Sequence, residues 1–274
     1  QRRVPRTMKV GVASFNVLNY FTTLGDQTAS CVPYRDRAGN GVTVREGCAQ
    51  RGAWSAADLQ RQQDKIVAAI NALDADVVGL MEIENSAALG ETADEATATL
   101  VGALNSAAGT KRWAFVPSSS ELPPAAEQDV ITNAIIYQVD AATPVGKSRA
   151  LGTQSGADQA FGNAREPIGQ AFAPAGGGAN VLVVVNHFKS KGSAGPWPGD
   201  ADTGEFDPLQ HSGSPFDVDV EAWASTAFGA FEPAWTTRRH ERDGAACRTG
   251  DTRRSGKVSI AYRCHYPECE QNPP

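Results

Sequence analysis

The chain has 274 residues, of which 41% are hydrophobic and 20% charged, an ordinary composition for a folded protein. This length suits one large α/β domain or two small ones. The formal net charge of −6 argues against a protein that coats nucleic acid generally, although a site that holds a cation still attracts a phosphodiester locally. No run of about eighteen apolar residues occurs, so we expect no membrane insertion.

The start of the chain and the cysteines bear on its origin. The first residue is Gln1 and no signal peptide precedes it, so we expect a processed piece of a longer parent chain with further domains, with residues 1–7 as a linker. Cys31 and Cys48 fall in one loop, and the other three of the five cysteines lie near the end. In a secreted protein the first two would pair, whereas reduced thiols in a cytosolic protein are the alternative.

The first half of the chain alternates strands with helices. Residues 8–17 alternate between apolar and polar side chains, as in a strand. A long loop follows up to Trp54, and a loop of that size usually needs a cross-link to hold it. Ser55 and Asp58 resemble a capping box that begins a helix, and Thr92 with Glu95 predicts the start of a second helix. Between the helices, residues 76–82 form an apolar run that suits a buried strand.

Strands dominate the second half. We predict them at 113–117, 130–137, 143–150, 168–173 and 180–187, which favours packed sheets with helices outside over a doubly wound parallel sheet. From Gly204 onward only five residues are Leu, Ile or Val, so this stretch is poor material for core strands. We therefore place a domain at 8–203 and treat 204–274 as an atypical tail, either non-native or disordered.

Three predicted strands end abruptly in polar groups, in Ser-Phe-Asn-Val-Leu-Asn-Tyr (14–20), Val-Val-Gly-Leu-Met-Glu-Ile-Glu-Asn (77–85) and Val-Leu-Val-Val-Val-Asn-His-Phe-Lys-Ser-Lys (181–191). Strand ends on a rigid scaffold can hold such groups toward a shared cleft. Singly, each polar residue has an ordinary explanation as a turn former or a solvated side chain. Together they suit hydrolysis of a phosphodiester.

The chemistry assigns a role to each group. Glu82 offers the oxygen ligand that Mg²⁺ prefers, with Mn²⁺ and Ca²⁺ as alternatives. Asn16 would orient the metal shell or a phosphate oxygen, and His187 would donate to the phosphoryl oxygen as charge develops. Contacts to substrate phosphates are assigned to Asn186, Lys189 and Lys191.

These motifs, in this order and over about residues 8–203, resemble the endonuclease/exonuclease/phosphatase superfamily and, within it, the secreted bacterial extracellular nucleases. The helix and strand sequence from Arg61 to Asn85 carries much of the likeness. The resemblance implies a four-layered α/β sandwich, in which two packed mixed β-sheets are flanked by helices on both outer faces. It implies that Asn16 and His187 are catalytic and that Glu82 binds the metal.

The same resemblance has further implications. Ala-Arg-Glu-Pro-Ile (164–168) matches an Arg-Glu-Pro strand start, which makes Arg165 a phosphate contact. Cys31 and Cys48 fall where these nucleases often carry a loop disulfide. The expected activity is metal-dependent hydrolysis of nucleic acid outside the cell or at its surface, on DNA rather than RNA.

Two family motifs are missing from the sequence. The family continues with Gly-Asp-x-Asn and ends with Asp-His, and neither occurs here; Gly250-Asp251 lacks the asparagine, and no later histidine follows an aspartate. We therefore expect an incomplete C-terminal part and little nuclease activity from these 274 residues. The alternatives are a catalytically inactive binding or surface module, and a phosphodiesterase for another phosphoester such as a phospholipid.

Overall fold

Eleven strands and two α-helices are formed by the residues that the computed structural model describes, namely 10–155, 161, 165–187, 227–228, 231–235 and 257–264. The strands are β1 (Val12–Tyr20), β2 (Val32–Arg35), β3 (Gly41–Glu46), β4 (Val77–Glu84), β5 (Trp113–Phe115), β6 (Ile131–Gln138), β7 (Ala142–Ala150), β8 (Arg165–Pro174), β9 (Val181–His187), β10 (Phe231–Trp235) and β11 (Lys257–Cys264). The helices are α1 (Ala56–Leu73) and α2 (Glu95–Ala108), with short 3₁₀ turns at Gly25–Gln27, Ser86–Leu89, Ala125–Glu127 and Gly152–Gln154.

The strands form three sheets, so the fold is mixed α/β. The first sheet has the order β1-β4-β6-β5, the second β10-β11-β9-β8-β7, and β2 pairs with β3 in a separate hairpin. Helix α1 connects β1 to the parallel strand β4, and the other strand pairs are antiparallel. Neither helix in the described part of the chain is long and apolar enough to cross a bilayer.

Alternation along β4 builds two layers of core. Val78 and Leu80 face one way and pack with the buried residues of α1 and α2. Val77 and Met81 face the other way and pack with residues of β8 and β9. Because successive strand residues point to opposite faces, the helices cover one face of the first sheet and the second sheet covers the other.

The predicted start of α1 is confirmed, and the predicted start of α2 is wrong. Ser55 forms the predicted capping box with Asp58, each side chain accepting from the other residue's backbone N–H. The prediction that Thr92 caps α2 is wrong: the N-cap is Asp94, in a left-handed conformation. Thr92 lies too far upstream, and Asp94 instead accepts hydrogen bonds from the backbone and hydroxyl of Ser118.

The expectation that the chain beyond residue 203 is poor in strands is wrong at two segments. Strands β10 and β11 lie there, and β11 pairs along β9 from His187 to Val181. The hydrogen bonds of that ladder are made by backbone groups and do not depend on side-chain type. The sequence of β11 also has apolar residues at every second position, namely Val258, Ile260 and Tyr262. The domain boundary near residue 203 stays a prediction, since most of the tail lies outside the described residues.

The long loop after β1 is organised by a hairpin and a disulfide. Strands β2 and β3 form the hairpin, and Cys31 is bonded to Cys48 with the two Cα atoms 4.9 Å apart. This is the pair that the resemblance implied. Backbone bonds from Val44 N to the Gly52 carbonyl and from Trp54 N to the Val42 carbonyl join the end of the loop to β3.

A first prediction concerns the packing of the two sheets at Gly79. A Cβ atom there would lie 2.6 Å from Val185 Cγ2, closer than side chains tolerate. We expect Gly79→Ala to lower the free energy of unfolding by about 1–3 kcal/mol, measured by chemical denaturation. Gly102→Ala in α2, where a Cβ meets nothing within 4 Å, is the control and should stabilise. Val185→Ala, which removes the contacting methyl groups, should cost less stability in Gly79→Ala than in the parent; an equal cost in both contradicts the account.

A second prediction concerns the disulfide, whose cysteines are 17 positions apart in sequence. Cross-linking removes loop-closure entropy from the unfolded chain, so the double variant Cys31→Ser, Cys48→Ser should lose on the order of 3 kcal/mol in the free energy of unfolding. Mass spectrometry of the non-reduced protein checks the bond itself. Two free thiols in the folded protein would refute it.

Candidate active site at the ends of β1, β4, β8 and β9

Glu82 is an extra residue in β4. Met81 pairs with Asn16 of β1 and with Asn133 of β6, and Ile83 resumes the pairing on both sides, so Glu82 has no partner in either ladder. Its φ of 62° is left-handed, which is uncommon for a non-glycine residue. Bulges of this kind bend a strand and turn a side chain in a new direction, often beside active sites.

The bulge changes the face to which the carboxylate belongs. Met81 packs between the sheets, and Ile83 packs with the helices. In a regular strand Glu82 would follow Leu80 to the helix face, where a carboxylate would be buried among aliphatic side chains. The inserted residue gives that position to Ile83 and leaves the Glu82 carboxylate at the end of the second sheet.

β1 contains a matching irregularity. Its pairing with β4 passes from Asn16 directly to Tyr20 while β4 advances by two residues, and both Leu18 and Asn19 have left-handed φ values of 54° and 52°. Asn16 Oδ1 accepts from the backbone N–H of Leu18 at 2.6 Å. Asn16 therefore shapes the turn next to Glu82, as its residue type favours.

Gln62 of α1 holds this irregular backbone from the helix side. Its Nε2 lies 3.2, 2.8 and 3.4 Å from the carbonyl oxygens of Val17, Leu18 and Asn19. Carbonyls that the bulge removes from the ladder thus regain a donor. Sequence reasoning did not assign Gln62 a role, although it lies in the helix segment that carries the family resemblance.

Glu84, the second acid of the Met-Glu-Ile-Glu segment, has a structural role. Its buried carboxylate accepts from the hydroxyls of Thr22, Thr23 and Ser86 and from the backbone N–H of Thr23, at 2.6–3.0 Å. Burial raises the pKa of Tyr20, and the Glu84 charge raises it further. The bonds of Glu84 tie the end of β4 to the loop that follows β1.

His187, Glu82 and Arg165 come together from three strands. His187 Nε2 lies 3.5 Å from Glu82 Oε1, with side-chain exposures of 6% and 17%. Arg165 is the register partner of His187 on the neighbouring strand β8, so both side chains point to the same face. Burial lowers the pKa of Arg165, and the charges of Asp129 and Glu82 oppose that shift.

Two residues that sequence reasoning missed extend this group. Asp129 accepts from Arg165 Nη2 at 2.8 Å and from Arg51 Nη2 at 2.7 Å and Nη1 at 3.3 Å. Arg51 follows the disulfide loop, 78 positions before Asp129. No local pattern in the sequence marks either residue. The nearest signal is Cys48, whose disulfide holds the chain close to Arg51.

The remaining predicted contacts separate from the group. Asn186 lies between Val185 and His187, so alternation directs its side chain to the opposite face from His187. It is buried, and its amide has no hydrogen-bond partner among the described residues. Lys189 and Lys191 lie outside the described residues.

Glu82 is the candidate metal ligand of this group. Within the described ranges, no group of three or more His, Cys, Asp or Glu side chains could hold a metal ion. Mg²⁺, however, usually binds proteins through one or two carboxylates and keeps several waters. The partly exposed Glu82 carboxylate is compatible with that mode.

Comparison with known proteins gives no relative. No family model matches the chain, and neither a curated protein nor a solved structure matches it. Function is therefore inferred from the residues and their arrangement.

A third prediction concerns Glu166, a buried neighbour of Arg165. Burial raises its pKa, and the neighbouring Ser155 hydroxyl only partly opposes the shift. The folded state thus binds this proton more tightly than the unfolded state. Its contribution to stability is complete at low pH and is lost as pH rises through the folded-state pKa. The free energy of unfolding of Glu166→Gln, minus that of the parent, should therefore increase as the pH is raised from acidic to neutral. Parallel pH–stability curves for the two proteins would contradict this.

Proposed function

We propose that this chain belongs to a metal-dependent phosphodiesterase that hydrolyses nucleic acid, DNA rather than RNA, outside the cell. The observation that carries the proposal is the meeting of Glu82, His187 and Arg165, one carboxylate, one imidazole and one guanidinium from three strands. Sequence reasoning had assigned all three to phosphodiester chemistry. The Cys31–Cys48 disulfide supports an oxidising, extracellular location.

Glu82 would hold the cation. Its bulged position keeps a carboxylate at the end of the sheets, and a single carboxylate with waters suits Mg²⁺. A cation held by Glu82 would supply positive charge to the phosphoryl oxygens and would activate water as the nucleophile.

The cationic and imidazole groups complete the phosphate site. Arg165 stays charged at neutral pH, because a guanidinium does not lose its proton in proteins, and its fork suits two phosphate oxygens. Because Arg165 lies beside His187, both side chains would contact the same phosphate. His187 donates to the phosphoryl oxygen as charge develops, and Asn16 orients the backbone next to Glu82.

The finer architecture we propose is a four-layered sandwich. The helices, the first sheet and the second sheet form three layers in order. Leu182 and Val184 of β9 face away from the first sheet and are nevertheless fully buried. Their burial supports a fourth layer on that face, because apolar side chains there must be covered.

A fourth prediction tests the metal role. Glu82→Gln should weaken Mg²⁺ binding, measured by calorimetry, while thermal unfolding shows an intact fold. Loss of a residue that merely orients a metal ligand costs about 10- to 100-fold in affinity, so loss of the ligand should cost at least as much. Glu91→Gln, at an exposed glutamate near the end of β4, is the matched control and should bind Mg²⁺ normally. Unchanged affinity in Glu82→Gln would refute the assignment.

Catalysis is tested with plasmid DNA, with and without EDTA. Any cleavage by the chain should require the cation and should be lost in Glu82→Gln and in His187→Ala. We expect slow turnover, because the Gly-Asp-x-Asn and Asp-His motifs are not in this sequence, and groups that act as a unit are strongly non-additive. Cleavage that persists in EDTA would overturn the proposal of a metal-dependent enzyme.

A further inference from the structure

Arg51 occupies the far end of a row of charged groups that begins at the candidate site. Glu82 lies beside His187, His187 is paired in register with Arg165, and Asp129 bridges Arg165 to Arg51. We infer that Arg51 is a second phosphate contact, which binds the backbone of a polynucleotide next to the phosphate held at His187 and Arg165. This inference rests on the proposed function and extends it to the length of the substrate.

The loop holds Arg51 from both sides. Three positions before it, Cys48 is bonded to Cys31. Immediately after it, the Gly52 carbonyl accepts from Val44 N at 2.9 Å, and a Cβ at Gly52 would lie 2.4 Å from Phe21 Cβ. The backbone at Arg51 is therefore fixed between a covalent bond and a close-packed glycine, as a residue that must meet a ligand in a set position requires.

Arg51 is the more accessible of the two arginines that share Asp129. The Asp129 carboxylate accepts from both guanidiniums. Arg165 is largely buried, whereas the Arg51 side chain is 45% exposed. Since a guanidinium has five N–H donors and Asp129 takes two of them from Arg51, donors remain for another anion.

This arrangement favours a polymer over a small phosphoester. Arg165 is the register partner of His187, whereas Arg51 is joined to this group through Asp129, so a phosphate at His187 meets Arg165 first. A nucleic-acid strand carries further phosphates and can reach both. Arg51 should therefore contribute to binding of an oligonucleotide and not to binding of a dinucleotide.

The fifth prediction measures this contribution by the salt dependence of binding. Fluorescence anisotropy with a single-stranded DNA of about 20 nucleotides, in EDTA and separately in Ca²⁺, gives the slope of log K against log salt. Loss of one phosphate contact reduces the steepness of that slope by about 0.7. We expect this change and several-fold weaker binding for Arg51→Gln. We expect a much smaller change for Arg45→Gln, which removes the same charge from the neighbouring hairpin, at a side chain 49% exposed and paired with Glu46.

A second variant, Asp129→Asn, distinguishes two roles of Arg51: binding phosphate and holding the loop in place. If the Arg51–Asp129 pair served only to fasten the loop, Asp129→Asn would weaken DNA binding as much as Arg51→Gln does. If Arg51 meets phosphate, Asp129→Asn keeps both cations, so the slope of log K against log salt should stay at that of the unmodified chain. The double variant Cys31→Ser, Cys48→Ser should lose most of the Arg51 contribution, so that adding Arg51→Gln changes little further.

The outcomes distinguish this inference from the proposed function. Equal slopes for Arg51→Gln and Arg45→Gln, or a slope for Asp129→Asn as shallow as that for Arg51→Gln, would overturn the role of Arg51 and leave the Mg²⁺ site at Glu82 unaffected. Equal losses with the dinucleotide and the longer DNA would also overturn it. Failure of the unmodified chain to bind the DNA in either buffer would overturn both proposals.

Discussion

The extra residue at Glu82 determines how the rest of the candidate site is arranged. Regular pairing of β4 with β1 and β6 would place this carboxylate among the aliphatic side chains that face the helices. Burial of an unpaired carboxylate there would cost several kcal/mol. The left-handed backbone at Glu82 costs about 1–3 kcal/mol instead, and it delivers the carboxylate to His187. The bulged arrangement is thus the less costly of the two.

Such a conformation persists only where neighbouring groups hold it. Gln62 supplies a donor to the carbonyls of the matching irregularity in β1, and Glu84 binds the loop that follows. The first contact comes from the helix face of the sheet and the second from the end of the strand. Substitutions at these positions would act on the candidate site indirectly, through the geometry of Asn16 and Glu82, without touching a substrate.

Local patterns in the sequence pointed to Glu82 and His187 as candidates, because polar residues that end apolar strands are visible within a few positions, whereas Arg165 was a candidate through the family resemblance. Ser55 was found from a local pattern, its capping box. The direction of Glu82 was not predictable, because the bulge depends on pairing with two strands distant in sequence. Asn186 was assigned with His187 by adjacency, although strand alternation separates their faces. Asp129 and Arg51, 78 positions apart, share no local signal.

The salt bridges around Asp129 explain how flexible arginines could serve a site of fixed geometry. A free arginine loses about 1.5–2 kcal/mol of rotamer freedom when it binds an anion, and each such loss weakens association. Asp129 already orders both Arg165 and Arg51, and Asp129 Oδ1 also accepts from Val130 N at 2.7 Å. That entropy is therefore lost on folding rather than on binding. The stapled loop acts in the same direction, since the disulfide and the packed Gly52 restrict the backbone that carries Arg51. In the proposed phosphate site, cations ordered before binding would favour an anion whose phosphates match their spacing.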